Sequence, residues 1–198
     1  RVLGNVTFAG SKVNLNNMTL FVGGQATYTG AGNFTNTSGY TSTGNGFVSL
    51  NGNGAQTISG AGDFGNFEVD ATGQTATIQN ATGKFTTLFY LTAGTVSAQT
   101  ATDPTPSIKF DNSTTFPTIV RNAGTFAWIP TFTSKVNVYY IGIDKTSGKE
   151  LPSSATSLNN LTVATTNGQV SGKGTVEIGT GLTPTVNGVV NVFPGQAL

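Results

Sequence analysis

Residues 64–77, FGNFEVDATGQTAT, recur in recognisable form twice more: residues 15–27 read LNNMTLFVGGQAT and residues 158–169 read LNNLTVATTNGQ. The shared skeleton is an apolar residue, any residue, Asn, apolar, polar, apolar, and then small or polar residues with a Gly close to a Gln. This is the pattern of a strand followed by a turn. The apolar places (Leu15, Met18, Leu20; Phe64, Phe67, Val69; Leu158, Leu161, Val163) each include a period-two pair that suits a half-buried strand. The copies start 49 and 94 residues apart, which implies a period in the high forties, and such periods mark stacked repeat architectures.

Working outward, residues 2–49 alternate short β runs (VTFAG, ATYTG, NFTN, FVSLNG) with Gly and Asn. No segment holds helical periodicity beyond one turn, so the chain reads as all-β. Phe8, Phe21, Phe34 and Phe47 recur every 13 residues, a spacing that would set rings in successive coils. In residues 52–96 the inward candidates are Ile58, Phe64, Phe67, Val69, Ile78, Phe85, Leu88, Leu91 and Val96, with Thr, Gln and Asn outward. Such a unit cannot bury its apolar face alone and must stack on neighbours. The expected fold is therefore a right-handed parallel β-helix. An array of Ig-like β-sandwiches is the alternative, which would require tight hairpins at regular spacing.

Repeats occupy residues 1–99 and 153–198. Between them, residues 100–152 form a Pro- and aromatic-rich excursion of the same solenoid, opened by TATDPTP, where prolines cannot join a central ladder. DKTSGKELP, residues 144–152, reads as an exposed loop because it concentrates scarce charges. The chain starts without a charged and then apolar leader, and both ends read as cut from a longer repeat protein.

Charged residues are 9% of the chain, against about 25% in ordinary globular domains, so solubility rests on Thr, Ser, Asn and Gly. With a net charge of +1 and no Lys or Arg run, a nucleic-acid footprint is absent. The absence of Cys and His removes disulfides, thiolate metal sites, the usual zinc ligands and His-based triads. No apolar run approaches the roughly 18–20 residues of a membrane span. This composition suits an extracellular β protein.

GNGAQTISGAGDFGNFEVDATG, LFYLTAGTV, IVRNAGTFAWIP and ELPSSATSLNNLTVATTNG resemble the repeat units of very large secreted surface proteins of gliding and biofilm-forming bacteria, the adhesin-like proteins exported by the type IX route. The resemblance covers most of residues 50–198. It implies a parallel β-helix, display at the bacterial cell surface, and adhesive or structural work, with surface glycans or other surface proteins as partners and self-association into a filament or array.

Few residues are candidates for chemistry. Glu68 and Asp70 share the outward side of one strand and read as solvated surface carboxylates. A calcium ion needs several oxygens in one loop, and Asp103 with Asp111 are the acids placed to offer them, though an intervening Lys opposes a cation. Among the aromatic residues of the excursion, most are expected in the core, while Trp128 and Tyr139 are the candidates for stacking on a sugar. Asn-x-Ser/Thr sequons stand at Asn5, Asn17, Asn33, Asn36, Asn80, Asn112 and Asn160, a number close to chance in so Asn- and Thr-rich a chain. The leading expectation is a non-enzymatic structural or adhesive segment. A glycan-binding or glycan-cleaving β-helix of the tailspike kind is the second. An ice-binding solenoid is the third, suggested by the Thr-x-Thr tripeptides at Thr75–Thr77 and Thr27–Thr29, which do not recur once per coil in the sequence.

Overall fold

The structure is a computed structural model describing residues 1–10, 13–23, 34–41, 44–81, 83–98, 109–154, 156–165, 174–194 and 196–198. Among these the chain is all-β, without a helix. The strands follow one another as β1 (Val6–Phe8), β2 (Val13–Asn14), β3 (Leu20–Val22), β4 (Phe34–Asn36), β5 (Tyr40–Thr41), β6 (Val48–Leu50) and β7 (Gln56–Gly60). Next come β8 (Phe67–Ala81), β9 (Lys84–Phe85), β10 (Leu88–Ala98) and β11 (Lys109–Phe110), of which β8 and β10 are the longest described strands. Then come β12 (Thr118–Arg121), β13 (Thr125–Phe126), β14 (Thr131–Phe132), β15 (Val136–Gly142), β16 (Lys145–Thr146), β17 (Leu158–Thr165), β18 (Gly174–Glu177), β19 (Val190–Val192) and β20 (Gln196–Ala197).

Every strand pairing among the described residues is parallel, and each strand pairs with one roughly a coil earlier or later. The pairs sort into three faces. On the first, β3, β6, the start of β8, the start of β10, β12, β15, β17 and β19 lie side by side. The second carries β1, β4, β7, the end of β8, the end of β10 and β13, and in later coils β16, β18 and β20 pair with one another in a sheet of their own. The third holds β2 beside β5, the Phe64–Phe85 bridge, and β9, β11 and β14. A sandwich of antiparallel hairpins is excluded by this pairing, and the fold is a parallel β-helix.

All three faces turn side chains onto one core. Phe67, Phe85 and Phe110 come from different faces or coils, and Phe67 and Phe85 lie 5.5 Å apart edge to face. Aromatic residues also stack from coil to coil: Phe64 on Phe85 at 4.5 Å, Phe67 on Phe89 at 5.8 Å, and Phe110 on Phe132 at 5.9 Å. Corners between the first and second faces need left-handed backbone, which Gly supplies. Gly73 (φ 70) turns β8 and Gly94 (φ 83) turns β10, and at Gly94 a Cβ would come within 2.3 Å of the Ala71 carbonyl oxygen.

Register corrects several details of the sequence reading. The first face stacks Leu20, Val48, Phe67, Phe89, Ile119, Val138, Leu161 and Val190 in one column. Leu161 is thus equivalent to Phe67 as expected, but four coils on, whereas Leu20 and not Met18 is the first copy's equivalent, and Met18 is 67% exposed. The apparent period in the high forties is two coils. A single coil runs from 19 residues (Val48 to Phe67) to 31 (Lys145 to Val176), because loops of different length join strands of constant register. In β10 it is Phe89, not Leu88, that enters the core. The 13-residue Phe series is not a coil period: Phe8 and Phe34 meet inside at 5.2 Å, whereas Arg1 lies over the Phe21 ring and Phe47 packs on Tyr90.

Candidate functional site

The outward side of the first face carries Ser49, Glu68, Tyr90, Val120, Tyr139, Thr162 and Asn191 in register. Strand alternation places them there, as Tyr139 stands between the buried Val138 and Tyr140 and Glu68 between the buried Phe67 and Val69. Tyr90 packs against Phe47 with ring centroids 5.9 Å apart. Burial, with Glu68 second, holds the Tyr90 phenol above its ordinary range. Glu68 accepts a hydrogen bond from the Thr92 hydroxyl at 2.6 Å. Beside this column Asn159 donates to Asn137 at 2.9 Å and Asn137 to the Thr118 hydroxyl at 3.3 Å, a ladder of amides along the face.

Tyr139 lines an open groove of about 580 Å³ with Thr162, Val190, Asn191, Val192, Phe193 and Pro194. Two rings and two uncharged polar side chains in one groove suit a neutral sugar, with apolar ring faces for stacking and amide and hydroxyl groups for its hydroxyls. Trp128 is placed elsewhere. It follows β13, packs half-buried against the core with its ring edge-to-face on Phe126 at 6.1 Å, and its buried indole Nε1 has no acceptor. The two aromatic candidates therefore stand apart with different roles, Tyr139 outward on β15 and Trp128 in packing between β13 and β14.

Asp103 lies outside the described residues. Asp111 is ion-paired to Lys84 at 3.1 Å, and that hydrogen bond raises the Lys84 ammonium above its ordinary value. Among the described residues no three of His, Cys, Asp and Glu cluster as a metal centre. Glu68 and Asp70 are half-exposed on the outward side, as expected of surface carboxylates.

Two features escaped the sequence reading. Residues 144–152 are not simply an exposed loop: Lys145 and Thr146 form β16, and Ser147, Glu150 and Leu151 are buried. Glu150 pairs with the Arg121 guanidinium and accepts hydrogen bonds from the Tyr140 phenol at 2.9 Å and the Gly148 amide at 2.8 Å. Burial first, then Glu150, pushes the Tyr140 phenol far above its ordinary range. Arg121 holds an inward place in register with Leu91 and Tyr140, so a charge interrupting the apolar run TIVR was the available signal. Nearby, Asp144, Lys145, Thr146, Thr175 and Glu177 line a polar groove of about 330 Å³. Burial, with the Arg121 charge second, lowers the Lys145 ammonium to about 8.

No family model, no curated protein and no solved structure matches this chain. No helix among the described residues is long and apolar enough to cross a membrane.

Proposed function

We propose that the chain is a non-enzymatic structural and adhesive segment of a long extracellular bacterial surface protein, contacting neutral glycans through the outward side of its first face. The observation that carries this reading is the groove in which Tyr139 and Phe193 stand with Thr162 and Asn191. Stacked coils support the structural half, since a ladder in which each coil rests on its neighbours makes a stiff support. The scarcity of charge supports the adhesive half, because such a surface approaches others without strong repulsion.

Affinity electrophoresis through gels containing neutral polysaccharides tests it. Mobility should be retarded by at least one of them, and Tyr139→Ala should weaken that retention about tenfold, equivalent to about 1.4 kcal/mol. Release of new reducing ends by the purified chain would replace adhesion with the glycan-cleaving alternative, and absence of any retardation would remove the glycan partner.

A further inference from the structure

The outward side of the second face differs in kind from the first. Its register aligns Thr57 with Thr77 and Ser97 in one column, and Thr75 with Thr95 and Thr125 in the next. Thr35 and Ser59 extend the array toward β1. Neighbouring hydroxyls meet across strands: Thr77 and Ser97 are 3.2 Å apart, Thr95 and Thr125 3.5 Å, Thr35 and Ser59 3.0 Å. From β4 to β13 the outward places of this face carry no charged and no aromatic side chain among the described residues, whereas the first face carries Glu68, Tyr90 and Tyr139 and the third carries Lys84 and Lys109. Parallel strands repeat about 4.7–4.9 Å apart, and alternate residues along a strand about 6.4–6.8 Å apart. The hydroxyls thus form a two-dimensional array with repeats in both directions, and those of the threonines sit on β-branched stems stiff at χ1.

We propose that this face binds the surface of ice. The repeats lie close to those of oxygen rows on low-index planes of hexagonal ice, each Thr hydroxyl both donates and accepts as a lattice water does, and the methyl groups between them order water without competing for it. Charge would disrupt that lattice through its own hydration shell, and the described outward places from β4 to β13 carry none. A crystalline polysaccharide is the less suited occupant, since sugar rings stack on aromatic side chains and the described outward places from β4 to β13 offer hydroxyls, methyls and the Gln79 amide but no ring. The Thr27–Thr29 tripeptide lies outside the described residues and is not needed. In the sequence the columns keep a 20-residue spacing over three coils, Thr57 to Thr77 to Ser97 and Thr75 to Thr95, and lose it at the 30-residue step from Thr95 to Thr125, so only the register joins all the coils into one array.

The test is ice-affinity partitioning with thermal hysteresis on the whole chain. The chain should enter a slowly growing ice front and open a gap between melting and freezing temperatures absent from an inert protein at equal molar concentration. Thr77→Lys should reduce the gap at least several-fold, and Thr95→Lys should do the same if Thr77→Lys melts early. Thr131→Lys, the same change on an exposed place of the third face, should leave it intact. Exclusion from ice, equal losses in Thr77→Lys and Thr131→Lys, or retention on microcrystalline cellulose without entry into ice would each overturn the assignment. The glycan test concerns the first face through Tyr139, so either result can fail while the other stands.

Discussion

Phe67 and Glu68 are adjacent, yet the coil assigns them opposite fates. Phe67 is fully buried, stacks on Phe89 at 5.8 Å and meets Phe64 edge to face at 5.6 Å. Glu68 is half-exposed and accepts a hydrogen bond from the Thr92 hydroxyl. Truncating the ring forfeits its transfer energy and leaves a cavity that paired strands cannot close, so Phe67→Ala is expected to cost about 3–5 kcal/mol. Glu68→Ala loses one partly solvated hydrogen bond, about 1 kcal/mol or less. Urea titration of the two variants measures the contrast, and equal small effects would mean that this stretch is not a core strand. The difference follows from strand alternation alone, which is why it was readable in FEVDATG before any fold was known.

At the scale of elements, the Arg121–Glu150 pair joins β12 to the segment after β16 across one coil step. Its Arg also donates to the Gly124 carbonyl at 3.1 Å and the Thr146 carbonyl at 2.8 Å. Arg121→Met removes the charge that Glu150 needs in a site only 1% exposed, and the expected cost is about 3–5 kcal/mol. Arg121→Met combined with Glu150→Leu removes both charges and should recover most of that loss, because replacing a buried pair by apolar groups is often near neutral. Melting curves of the single and double variants give the comparison. A double variant no more stable than the single would mean that the hydrogen bonds of the network, and not the charges, hold this coil together. The sequence disclosed the strands here but not the pair, because Arg121 and Glu150 are 29 residues apart and only coil register brings them together. The same reason explains why residues 144–152 read as solvated. Tyr139 was legible as outward from VNVYYIG, whereas its groove partners come from β17, β19 and the residues after β19, which no local pattern connects to β15.

For the whole molecule, a stack of coils predicts graded stability, since each coil is held by its two neighbours and a coil with one neighbour is held by half as much. The grading is visible in burial. Phe67, Phe89 and Leu91 in β8 and β10 are fully buried, while all three residues of β19 are exposed and β1 has none fully buried. Parallel hydrogen bonds at the last strand protect one edge only, so opening there exposes little apolar area and needs little free energy. Native-state hydrogen exchange of the 198-residue chain is therefore expected to show amides of β8 and β10 exchanging only through near-global unfolding, with protection falling coil by coil through β15 and β17 to β19. Phe85→Ala, which removes the ring stacked on Phe64 and packed on Phe89 and Phe110, should lower protection most in the coils touching it and least at β19. A single protection level shared from β1 to β19, shifted equally everywhere by Phe85→Ala, would show that the molecule unfolds as one cooperative unit. Nearest-neighbour stacking would then be the wrong account of its stability, and the stiffness asked of it as a surface rod would need another source.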